Sequence, residues 1–131
     1  MLAVKSLVMA TALFGTMLAT PATAGAPKIT EKYVVKVSPN IFIPAEFTLK
    51  INGEEVGNYD SDSNIDITEY IKAGKNTFTV KYAPTGPYTN SMAKTILTIG
   101  VNRNGKWSTV MKVSASKASP KGTRTLTVKA K

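Results

Sequence analysis

Apolar and polar residues alternate along six stretches of the chain: Lys32–Val37, Glu46–Ile51, Thr77–Tyr82, Thr95–Val101, Lys106–Val113 and Thr123–Lys129. Side chains two residues apart lie on the same face of an extended strand, so each stretch predicts a strand with one buried and one wetted face. In the third stretch Phe78, Val80 and Tyr82 fall on one face, with Thr77, Thr79 and Lys81 on the other. The same alternation assigns Leu97, Ile99, Val101, Trp107, Met111, Val113, Leu126 and Val128 to the core. It sends Lys81, Lys94, Lys106, Lys112 and Lys129 outward, as lysines sharing sheet faces. Asn52-Gly53 and Asn104-Gly105 stand between apolar runs, and Asn-Gly readily takes the positive φ angles of a two-residue hairpin turn. The only helical signal is Asp66 to Ala73, where Asp66 is placed to cap a single turn ending at Gly74. Six or seven short strands predict an all-β fold. The expected form is a single two-sheet sandwich, jelly-roll-like or alternatively immunoglobulin- or fibronectin-like.

Residues 1–24 are read separately. A start carrying Lys5 leads into an apolar, small-residue run from Leu7 to Leu18, and Ala22-Thr23-Ala24 supplies an Ala-x-Ala cleavage site. Thr11, Gly15, Thr16, Thr20 and Pro21 dilute the run below what a membrane anchor needs. The expectation is a cleaved signal peptide, a β-sandwich domain over 25–131, and a secreted or periplasmic protein that is not integral to a membrane. No Cys follows the cleavage site to carry a lipid.

The stretch 49–80 is more specific. Leu49-Lys50-Ile51-Asn52-Gly53-Glu54-Glu55-Val56-Gly57, then Ile65-Asp66-Ile67-Thr68-Glu69-Tyr70-Ile71-Lys72-Ala73-Gly74-Lys75-Asn76-Thr77-Phe78-Thr79-Val80, resembles the galactose-binding-like jelly-roll domains that accompany many glycoside hydrolases. In that family an Asn-Gly hairpin precedes a short Asp-Ile-Thr turn, a Gly-Lys-Asn corner and a core strand. The resemblance implies structural roles: Asn52-Gly53 turns the chain, Asp66 caps, Ile67 and Ile71 plug the core, Gly74 is left-handed and Asn76 bonds the backbone. It implies fold more than function.

Composition narrows the chemistry. The 131 residues include no His and no Cys. That removes Ser-His-Asp triads, cysteine nucleophiles, zinc sites, haem ligation and iron–sulfur clusters, and leaves no ordinary general base near neutral pH. The acids cluster in one loop or on a hairpin rather than as the spaced pair a glycosidase needs. The chain is therefore read as non-catalytic. Its charge is divided: all eight acids lie between Glu31 and Glu69 with only three lysines, whereas Tyr70 to Lys131 holds twelve basic residues and no acid. A surface field of this kind attracts anionic polymers. Ten of the twelve are Lys and few aromatics are interleaved, which argues against nucleic acid, whose readers favour Arg and stacking rings.

Candidate site residues follow. Asp60, Asp62, Asn64 and Asp66 stand at alternate positions, as oxygen ligands do in calcium loops, making Ca2+ the one candidate cofactor. Ile65 stands where such a loop turns on glycine and Ile71 where it needs Glu, so an acidic loop with Asp66 as a cap is the competing reading. Tyr88 and Asn90 in the uncharged loop 83–90 offer a stacking face and hydrogen bonds for a sugar, as do Tyr59 and Trp107, while Lys94, Lys106 and Lys112 are the anion-binding candidates. Trp107, at period two with Met111 and Val113, has core and platform readings. The leading functional expectation is an exported module binding carbohydrate or an anionic cell-envelope polymer. The alternative is a self-associating structural or accessory subunit with an exported protein partner.

Overall fold

The computed structural model describes residues 29–131; the segment read as a signal peptide lies outside them. Eight strands form: β1 (Lys32–Ser38), β2 (Ala45–Ile51), β3 (Glu54–Tyr59), β4 (Ser63–Asp66), β5 (Gly74–Pro84), β6 (Lys94–Arg103), β7 (Lys106–Ser116) and β8 (Gly122–Ala130). They make two four-stranded antiparallel sheets, in the orders β4-β1-β6-β7 (sheet I) and β3-β2-β5-β8 (sheet II). The six expected strands are all present. β3 and β4 are additions, and the helical signal is a single 3-10 turn over Thr68–Tyr70.

The pairing repeats itself. Within β1–β4, β2 pairs β3 and β1 pairs β4; within β5–β8, β6 pairs β7 and β5 pairs β8. The halves join through β1–β6 and β2–β5. Each half thus spans both sheets and supplies one antiparallel pair to each, giving a two-sheet β-sandwich. Both inner hairpins turn on Asn-Gly, with φ of 54° and 84° at Asn52-Gly53 and 55° and 82° at Asn104-Gly105. Both second strands then bulge, at Val56 and at Val110, where the register shifts by one residue.

Because each half supplies one side of both sheets, the division of charge along the chain becomes a division in space. The β1–β4 side carries the acids and the β5–β8 side is basic throughout. The core lies between the sheets, with Tyr33, Val35, Leu97, Ile99 and Val101 from sheet I meeting Phe47, Leu49, Phe78 and Val80 from sheet II, all fully buried. Burying each such side chain contributes about 1.5–3 kcal/mol.

The segment 65–76 behaves as its residues imply. Asp66 Oδ1 accepts the Thr68 N–H at 2.9 Å, Ile67 and Ile71 are buried, and Gly74 takes φ 91°. Asn76, 1% exposed, closes the corner. Its amide nitrogen donates to the Lys72 and Gly74 carbonyls at 2.8 and 3.0 Å, and its oxygen accepts from the Lys72 N–H and the Asn52 amide, each at 3.0 Å. Glu31, nearly buried, ties the start of β1 to Lys131. Its carboxylate receives the Arg103 guanidinium, the Tyr33 hydroxyl at 3.1 Å and the Lys131 N–H at 3.0 Å.

Edge protection differs from strand to strand. β3 and β7 are bulged, β4 has four residues, and β8 turns Arg124 toward the inner side opposite Val80. Each device discourages edge-to-edge pairing. Leu126 shares that inner side, opposite Phe78, but at the sheet edge it stays 38% exposed, so it closes the core less completely than alternation predicts.

Candidate functional site

The outer face of sheet I is laid out in three rows by strand register. Lys32, Asn102 and Trp107 form the first; Asp66, Val34, Gly100 and Thr109 the second; Asn64, Lys36, Thr98 and Lys112 the third. Adjacent rows lie about 7 Å apart, two residues along a strand. Trp107 stands here, not in the core. The extra residue at Val110 reverses the alternation, so Met111 and Val113 point inward while Thr109 and Trp107 point outward. The indole is 52% exposed. The same reversal takes Lys106 off this face, opposite Arg103, and only Lys94 and Lys112 of the three candidate lysines share it.

The indole lies against Gly100, where a Cβ would sit 3.5 Å from its six-membered ring. A glycine inside a strand often marks such a close approach. Val34, Lys36, Thr98, Gly100, Trp107, Ser108 and Thr109 together line an open depression of about 170 Å3. Its wall is aromatic, its floor is backbone and Val34, and its far rim carries an ammonium and a hydroxyl. The face of a ring can stack on the indole while its edge meets polar groups. At this size the depression admits one ring of a longer ligand rather than enclosing a whole molecule.

The outer face of sheet II holds a larger depression, about 370 Å3, lined by Thr48, Lys50, Glu55, Thr79, Lys81 and Thr123. Thr79 and Thr125 hydroxyls lie 3.4 Å apart in a threonine ladder between β5 and β8. Nothing aromatic lines it, and volume without an apolar platform is the weaker recognition feature.

The remaining candidate residues are elsewhere. Tyr59 is 6% exposed and faces the core beside Phe47; burial first, then neighbouring Tyr70, pushes its phenol up. Tyr88 and Asn90 sit at the opposite end of β6 from Trp107. The Tyr88 hydroxyl donates to the Pro120 carbonyl at 3.1 Å and Asn90 Oδ1 accepts the Met92 N–H at 2.8 Å, so both brace loops. Lys94 opens β6 at that far end. Sequence reasoning missed Lys36, Thr98 and Gly100; the glycine inside an otherwise alternating strand was the available signal.

The calcium reading is not supported by the geometry. Asn64 and Asp66 lie on β4, Asp60 and Asp62 in the loop before it, and Asp66 is engaged by Thr68 and, at 3.8 Å, by Lys32. Thr68 hydrogen bonds chiefly, then Lys32, hold the Asp66 carboxyl below its ordinary value. Among the described residues no three acidic side chains gather as a metal site would require. Nor is any helix among them long and apolar enough to cross a membrane.

Fold and face together define the class: a two-sheet β-sandwich with an exposed tryptophan platform on one sheet. No family model, curated protein or solved structure matches the chain.

Proposed function

We propose that the protein is an exported, non-catalytic binding module that takes a saccharide unit of an anionic cell-envelope polymer on the outer face of sheet I. The observation that carries this reading is the half-exposed Trp107 laid across Gly100. Lys36 and Lys112 flank Thr98 one row beyond the depression floor, where they would meet acidic groups of the polymer. The basic β5–β8 side adds long-range attraction, screened beyond about 8 Å at physiological salt.

Electrophoresis through gels containing alginate, an anionic polysaccharide, or dextran, a neutral one, tests the reading. Alginate is expected to retard the parent protein. Trp107→Ala should weaken retention about tenfold, which corresponds to about 1.4 kcal/mol. Lys36→Gln with Lys112→Gln should remove the preference for alginate over dextran. Equal retention of all three proteins would remove sheet I from the account.

The spatial division of charge supports a second reading, in which the acidic β3/β4 side of one copy meets the basic β7/β8 side of another. Association of that kind needs no polymer and dissolves as salt rises, which separates the two readings.

A further inference from the structure

The end of the sandwich away from Trp107 presents the most exposed apolar side chains among the described residues. Ile41 in the β1–β2 loop is 89% exposed and Met92 in the β5–β6 loop 87%, with Phe42 at 45%. Burial elsewhere in the chain is orderly, and exposures this high leave almost none of the protein around these groups.

The loops that carry them are braced. The Thr89 N–H donates to the Phe42 carbonyl at 2.9 Å and joins the two loops. Buried Thr95 accepts the Asn40 N–H and donates to the Ile43 carbonyl at 2.6 Å, fixing the base of the first loop. Tyr88 ties the second loop to the β7–β8 loop through Pro120. The apolar residues are therefore held outward by a built framework.

Lysines stand beside them. Lys94 opens β6 opposite Ser116, the last residue of β7, so the β7–β8 loop with Lys117 and Lys121 belongs to this same end, and all three are exposed. The acidic loop holding Asp60 and Asp62 also reaches this end, but on the β3/β4 flank.

We propose that this end docks on an anionic lipid bilayer, with Ile41, Phe42 and Met92 entering the interface and Lys94, Lys117 and Lys121 meeting the headgroup phosphates. Charge complementarity and the form of the tip favour a bilayer over a protein partner. Stable protein interfaces bury about 1,200–2,000 Å2 in closely packed contact. Three side chains on two loop tips offer far less, whereas a bilayer interface accepts apolar side chains individually and takes lysine heads at the phosphate level. The acidic flank tilts the molecule, bringing the β5–β8 side nearest the lipid.

Sedimentation with vesicles tests this independently of the Trp107 face. The parent protein should pellet with equimolar phosphatidylglycerol–phosphatidylcholine vesicles and stay in solution with phosphatidylcholine alone. The triple variant Ile41→Ser, Phe42→Ser, Met92→Ser keeps every charge and should partition at least about tenfold more weakly, with an unchanged melting temperature. Should that variant melt early, Met92→Ser alone carries the test, with a smaller loss expected. Lys94→Gln, Lys117→Gln, Lys121→Gln should lose binding comparably, and Trp107→Ala should retain it. The proposal is overturned if the serine variant partitions within twofold of the parent, leaving net charge as the only attraction. It is equally overturned if the parent stays in solution with anionic vesicles, or if the tip proves to hold two copies together without lipid.

Discussion

Asn76→Ala is expected to destabilise the protein by about 3 kcal/mol. The side chain is 1% exposed and makes four hydrogen bonds, three of them to backbone groups of the turn that reverses the chain into β5. Alanine leaves the Lys72 N–H and the Lys72 and Gly74 carbonyls without their partner. Each such group costs about 1–3 kcal/mol where water cannot reach it. Partial rehydration at the exposed Lys72 keeps the total below the sum. For a domain of this length the melting temperature should fall by about 15 °C. Asn52→Gly keeps the positive φ of the hairpin turn and removes only the bonds to Asn76 and Thr77, so about 1 kcal/mol is expected there. Equal losses in the two variants would show that the corner does not depend on Asn76.

Glu31→Gln is the second large effect. Burial by itself would raise the carboxyl, but the Lys131 N–H, the Arg103 guanidinium and the Tyr33 hydroxyl together hold it below its ordinary value. A glutamine keeps the shape, loses the charge and turns an amide toward a cationic donor. Removing one partner of a fully buried ion pair costs about 3–5 kcal/mol. Arg103 keeps its side chain 43% exposed and can be rehydrated, so about 2 kcal/mol is expected. The sign of the pH dependence follows from the lowered native value. The stabilisation is complete above the ordinary carboxylate value of 4.5 and is lost as pH falls through the native one. Chemical denaturation of parent and variant at pH 7 and pH 3 should therefore give a difference that shrinks in acid. A constant difference would mean that the network acts through packing alone.

Much of this architecture is legible in the sequence because alternation, Asn-Gly pairs and the Asp66–Asn76 corner are local features. Phe78, Val80 and Tyr82 point inward as their spacing requires, and both hairpins turn where Asn-Gly stands. β3 is less visible: Glu54, Glu55, Val56 and Gly57 show no alternation, since an edge strand with a bulge buries little. β4 falls within the segment read as a metal loop, and its four residues pair with β1.

The site depends on one residue that period-two counting passes over. Val110 and Met111 are adjacent apolar residues, the trace of a bulge, and reading through them puts Trp107 on the wrong face. The Glu31 network and the apolar tip join residues dozens of positions apart, which only the assembled sheets bring together.

The most direct test of the proposed site is fluorescence of the chain's single tryptophan during titration with alginate. If a saccharide ring covers the indole, emission should shift to shorter wavelength with saturation, since stacking removes water from the exposed face of the ring. Saturable alginate binding with no change in Trp107 emission would contradict the account and place the polymer elsewhere on the molecule.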